Sequence, residues 1–178
     1  MKENSKIVVY HGTTSLIKTI DVAKGKPYKD FGRGFYLSES RKHSVNLALR
    51  NRRIEKERFN RDTNAYLYTY EMNLCKLTDF NLKIFKDADL EWVQFVLSNR
   101  RTRDRTHNYD VVMGPTADDD TMVAINAYLD GLYGVIGSET ALNLLIKNIE
   151  AEKLPRQIYI SNNNALKILS QTGQVEIL

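Results

Sequence analysis

The chain has 178 residues, 42% of them apolar and 27% charged, with nine Gly, three Pro and a net charge of +4. This composition excludes disordered, collagen-like and low-complexity classes, and the length suits one domain over residues 1–178. A chain of this size buries roughly two-thirds of its unfolded surface, so it can hold a core without disulfides or structural metal.

In chain order, Lys6–Tyr10 is β-branched and aromatic and predicts a strand ending in a turn at His11-Gly12-Thr13-Thr14. A Gly/Pro-punctuated loop covers about 21–32, then Phe35-Tyr36-Leu37 predicts a short strand. Ser38 or Ser40 caps a helix over about Arg41–Arg58. Ala65–Met72 alternates as a half-buried strand, and Leu77–Phe85 predicts another. Leu90–Asn99 predicts a helix in which Trp92 is either core or a partner surface. Tyr109–Gly114 is a nearly continuous apolar strand. Helices are expected over Thr121–Leu132 and Glu139–Glu152, a strand at Gln157–Ile160, a short helix at Asn163–Leu169 and a last strand at Val175–Leu178. Short strands among helices, without regular βαβ alternation, place the chain in the α+β class.

The charge is uneven. Between Arg41 and Arg61, eight Lys/Arg stand against Glu55 and Glu57, and Arg100, Arg101, Arg103 and Arg105 surround Asp104. Such segments are either solvated faces or attractants for an acidic partner, nucleic acid or protein. Cys75, the single cysteine, excludes an internal disulfide and a Cys-rich zinc site, and a lone cysteine is expected in the core. No apolar run approaches the roughly 18 residues of a membrane span, and the first residues carry no signal-peptide core. No membrane partner and a cytoplasmic location are expected.

Common cofactor motifs are absent. Leu37 occupies the third glycine position after Gly32-Arg33-Gly34, and no phosphate-loop motif exists. His11, His43 and His107 lack the spacing of a metal-binding helix, so no metal is expected. Two segments remain: Tyr10-His11-Gly12-Thr13, at a strand end, and Asp30-Phe31-Gly32-Arg33-Gly34-Phe35-Tyr36-Leu37-Ser38. Each alone is compatible with a purely structural turn. They occur in order within a short stretch.

Together they resemble the first two signature segments of the ADP-ribosyltransferase superfamily, in its diphtheria-toxin and poly-ADP-ribose-polymerase branch. More narrowly, the sequence is similar to uncharacterised bacterial toxin-like domains often paired with a small antitoxin. The similarity runs through YHGT, DFGRGFYLS, YDVVMGPTADD and PRQIYISNNNALKIL. It implies a split antiparallel β-sheet core with flanking helices, NAD as substrate, and mono-ADP-ribosyl transfer to a nucleic-acid or protein acceptor. It also implies that His11 bonds a ribose hydroxyl and that the Gly12 backbone meets the nicotinamide amide. Tyr36 would stack on nicotinamide and Tyr28 would form a second wall. Thr13 and Ser38 fall in the same binding segments, and Arg33 is either a pyrophosphate contact or simply exposed.

At the third signature position this chain has Gln157 where the family form has glutamate. Breaking the nicotinamide–ribose bond builds positive charge on the sugar, and glutamine keeps a hydrogen bond but loses the anion. Gln157 fits an active variant, a transferase using a carboxylate from elsewhere, or an inactive binding fold. Asp118 and Asp119, with Asp120 beside them, are the candidate replacement carboxylates; the alternative is an ordinary acidic helix start. A non-catalytic NAD- or nucleic-acid-binding module is the other reading of the chain, and NAD hydrolysis is a close relative of transfer.

Overall fold

The computed structural model describes residues 6–149 and 154–178. Strand β1 (Lys6–Thr13) runs three residues past its expected end at Tyr10, into the expected turn, so His11 and Gly12 are strand residues. The cause is its partner: every residue of β1 pairs antiparallel with β3 (Tyr66–Asn73), from Lys6↔Asn73 to Thr13↔Tyr66. Between them lie β2 (Phe35–Ser38) and helix α1 (Arg41–Phe59). Ser40 is the cap of α1, its hydroxyl accepting from His43 N at 3.2 Å, and left-handed Asn60 ends it.

The strand expected over Leu77–Phe85 shrinks to β4 (Leu82–Ile84). Leu74–Asp79 winds instead into a tight 3-10 turn, started by Asn73, whose side chain accepts from Cys75 N. Cys75 is therefore exposed rather than in the core. Helix α2 (Leu90–Arg100) follows with Asp89 as its cap, then β5 (Val111–Pro115). Helix α3 (Asp119–Leu129) starts two residues before its expected start because Asp118 caps Thr121 N at 2.9 Å, and it stops short of Gly131, which has φ 76°. Helix α4 (Glu139–Ile149) was expected to reach Glu152; residues 150–153 lie outside the described residues.

The last third holds β6 (Arg156–Ile160), β7 (Leu169–Gln171) and β8 (Glu176–Ile177). The helix expected at Asn163–Leu169 is a single 3-10 turn, Ala165–Ile168. Leu169 instead begins β7, drawn into the sheet by pairing with Met72 of β3.

The class is α+β, with a curled sheet in the order β4-β5-β6-β2-β1-β3-β7 and β8 also on β3. The sheet is mixed rather than antiparallel throughout, because β4 runs parallel to β5. Period-2 alternation sends Tyr159 and Val112 to one face, under α2, α3 and α4. It sends Val9, Phe35, Leu37, Ile158 and Ile160 to the other. Trp92 belongs to the first core, fully buried, with its indole N–H donating to the Pro115 carbonyl at 3.2 Å; it is no partner surface. Among the described residues no helix is long and apolar enough to cross a membrane.

Candidate functional site

The site grows from one topological fact. Strands β1 and β2 are in register only at Tyr10↔Ser38, while β2 pairs with β6 over its whole length. The sheet therefore opens on the side of Tyr10 that leads to His11 and Gly12. His11 bridges this opening: its Nδ1–H donates to the Tyr36 carbonyl at 2.6 Å. Its ring stacks on Phe35 at 4.4 Å between centroids. Burial lowers the His11 pKa, and the bond to Tyr36 opposes that only in part. The imidazole is thus neutral near pH 7, with Nδ1 as donor and Nε2 as a lone-pair acceptor. Nε2 has no partner among the described residues.

Gly12 is required by packing. A Cβ there would overlap the backbone carbonyl of Ser44, because α1 seats directly on β1. Ser44 completes this contact by donating to the Tyr10 carbonyl at 3.2 Å. Thr13 accepts from Ser15 N. Ser38 is buried, donating to the Arg156 carbonyl and accepting from Ser40 N.

Tyr36, Ser38 and Gln157 share the opposite face from Phe35, and Ser38 and Gln157 are direct cross-strand neighbours. The structure brings Tyr36 and Gln157 together and sets His11 on the Phe35 side of the opening. Tyr36 is more anchored than its expected stacking role requires. Its hydroxyl donates to the Gly32 carbonyl at 2.7 Å and accepts from Phe31 N at 3.0 Å. Burial first, then the charge of Asp30, push its pKa well up, so it stays protonated.

The sequence reading missed the centre of this region, Asp30. Its carboxylate is buried and receives Arg100 Nε at 2.7 Å, Ala117 N at 2.9 Å and Gln157 Nε2 at 2.8 Å. The second N–H of Gln157 points to the Pro115 carbonyl at 3.2 Å. Both neighbours are acceptors, which fixes the amide orientation: nitrogen toward Asp30 and Pro115, with Oε1 an acceptor that has no partner among the described residues. The carboxylate beside Gln157 is Asp30. Asp118 is spent as the cap of α3, and exposed Asp119 pairs with Arg50 at 2.7 Å. Asp120 lies in the same first turn. These three behave as an ordinary acidic helix start.

The remaining loop residues hold the backbone. Arg33 donates to the carbonyls of Gly25 and Ala23, and Tyr159 returns a bond to the Arg33 carbonyl at 3.0 Å. Gly32, at φ 91°, leaves no room for a Cβ against Arg105. Tyr28 is exposed, with a left-handed backbone at φ 58°. Two open cavities of about 390 and 510 Å³ lie along the outer face of α1, and neither is lined by His11, Tyr36 or Gln157. Among the described residues no cluster of three or more His, Cys, Asp or Glu suits a metal ion.

The chain belongs to the family described as "Protein of unknown function (DUF3990)", whose model matches residues 7–171. That span takes in β1 from its second residue through β7, with every candidate site residue. No curated protein and no solved structure matches the chain.

Proposed function

We propose that the protein is a NAD-dependent mono-ADP-ribosyltransferase with an ADP-ribosyltransferase-like split sheet. The observation that supports it is the opening between β1 and β2 beside His11 and Tyr36, with Gln157 on the next strand, β6, across from Ser38. NAD would thread that opening, a ribose hydroxyl donating to His11 Nε2 on the Phe35 side, with Gln157 Oε1 the acceptor it meets on the Tyr36 side. The nicotinamide–ribose bond breaks with its electron pair leaving on nicotinamide. The acceptor's lone pair then forms the new bond to the same ribose carbon, and the acceptor proton passes to solvent.

Asp30 enters this reading as the residue that orients Gln157. It holds the amide nitrogen inward, so the oxygen faces the sugar, and it places a negative charge one hydrogen bond behind. The Arg100 guanidinium partly cancels that charge, which favours a slow enzyme. The acceptor is a nucleic acid or a protein, and a small antitoxin protein would be the natural inhibitor. The second reading, an NAD-binding module without turnover, rests on the same Arg100 neutralisation and on the missing carboxylate at position 157.

Incorporation of label from NAD into nuclease- or protease-sensitive material tests the proposal. Gln157→Ala is expected to reduce transfer by on the order of a hundredfold, the usual loss when one transition-state contact is deleted. His11→Ala should act in the same direction, with folding checked by circular dichroism. NAD binding without transfer or nicotinamide release would establish the second reading; absence of NAD binding would sink both.

A further inference from the structure

We infer that the C-terminal half of α1 and the segment after it form a binding groove for single-stranded nucleic acid. Arg52, Arg53 and Lys56 fall on one helical face, spaced over about 6 Å along the axis. With Asp62, Thr63 and Asn64 they line the cavity of about 390 Å³. A second cavity continues it toward Arg50 and shares Arg52 and Arg53.

The cations here are unspent. Arg53 and Lys56 have no ion pair or hydrogen bond among the described residues, and Arg52 uses only Nη1, on the Leu178 carbonyl at 2.7 Å. Thr63 and Asn64 add polar groups to the same recess. The groove therefore offers guanidinium and ammonium donors around one recess, which suits a phosphate group.

A stacking surface adjoins it. Phe59, three residues beyond Lys56, is 54% exposed, and the Arg61 guanidinium covers its ring at 5.2 Å. Cations that track a backbone, next to an exposed aromatic that takes a base face, are the two components of single-strand binding. An acidic protein would use the cations and leave Phe59 idle; a duplex would offer no free base face.

Fluorescence anisotropy of labelled oligothymidylate and oligouridylate, titrated with the full chain over a salt series without NAD, tests this. Because NAD is absent, the outcome is independent of the transferase reading. The double variant Arg53→Ala/Lys56→Ala should lower the slope of log affinity against log salt by about 1.4, two contacts at ~0.7 each. Phe59→Ala should weaken binding about tenfold and leave the slope unchanged. Arg101→Ala/Arg103→Ala, on exposed arginines of the other basic segment, should change neither. The inference is overturned if folded wild type binds neither oligonucleotide at low salt. It is overturned equally if the α1 variants leave the slope intact, or if duplex DNA or polyglutamate binds as tightly and responds to the same variants.

Discussion

Arg41–Arg61 and Arg100–Arg105 look alike as strings of basic residues, and the fold gives them different work. In the second segment Arg100 enters the interior, bonding Asp30 and the Ala117 carbonyl, and Arg105 reaches the Ser161 carbonyl. Arg101 and Arg103 alone stay exposed there. In the first segment, Arg41 and Arg50 take exposed pairs with Glu176 and Asp119, and Arg53 and Lys56 line a groove with no partner among the described residues. A run of charge does not by itself mark a binding face. What decides is whether a buried acceptor lies within reach, and Asp30 supplies one only to the second segment.

The largest test of that contrast is Arg100→Ala. Among the described residues it leaves the buried Asp30 carboxylate with the Ala117 and Gln157 N–H groups. The expected cost is up to about 3–5 kcal/mol, the range for leaving a buried charge without its partner, with the 30% exposure of the Arg100 side chain pulling it toward the lower end. Urea unfolding would measure it. A cost below about 1 kcal/mol would put Arg100 among the surface arginines, where exposed pairs contribute little.

Tyr36→Phe probes the same loop more gently. The ring stays, but the Gly32 carbonyl and Phe31 N–H lose their shared partner, for an expected loss of about 1–3 kcal/mol. If Tyr36 served NAD alone, the variant would unfold at the same urea concentration as wild type. Tyr36→Ala is consequently a poor probe of chemistry, since it would loosen the loop that carries Asp30.

The elements governed by local pattern were legible in the sequence. Ser40 announces α1, alternation announces β3, and the apolar positions of α2 announce its buried face. The candidate site was legible only in part. His11, Tyr36 and Gln157 could be picked out by resemblance, but Asp30 bonds Arg100 across 70 residues and Gln157 across 127. No local rule links positions so far apart, although a carboxylate set directly before Phe31 and two glycines was a visible oddity. The extension of β1 through His11 and Gly12 was hidden for the same reason, because it depends on β3 more than fifty residues later. Pattern alone left Asp118 and Asp119 open between the two readings, because acidic residues at a helix start look the same whether they serve a cap or a ligand.

Acidification separates the two segments from their histidines. His107 donates to the Phe31 carbonyl and accepts from Tyr109 N, and burial, with Arg105 adding to it, lowers its pKa. Burial also lowers His43 on α1, where Asp118 opposes the shift, and His11 moves the same way. A folded pKa below the unfolded value of 6.5 means that the unfolded chain binds protons first. Stability from these groups is complete above that value and is lost as pH falls through the folded values. Melting temperature should therefore drop between neutral pH and about pH 5, and His107→Gln should flatten part of the curve. A flat profile in wild type would mean that the three rings are as well hydrated folded as unfolded.

The smallest effect expected is also the one that completes the comparison. Arg53→Ala/Lys56→Ala removes two charges that bond nothing among the described residues and sit on an exposed helix face. Alanine favours helix at least as well as either residue it replaces. Stability should stay within about 0.5 kcal/mol of wild type, and relief of like-charge repulsion along α1 makes a slight gain the natural direction. Parallel urea curves with Arg100→Ala then give a sharp division: one arginine whose loss costs several kcal/mol, and two cations whose loss costs none. A large loss in the double variant would mean that the α1 cations hold the fold, and their apparent freedom would no longer argue for a ligand. A neutral result together with weaker oligonucleotide binding would assign the charge of α1 to recognition and that of Arg100 to the interior.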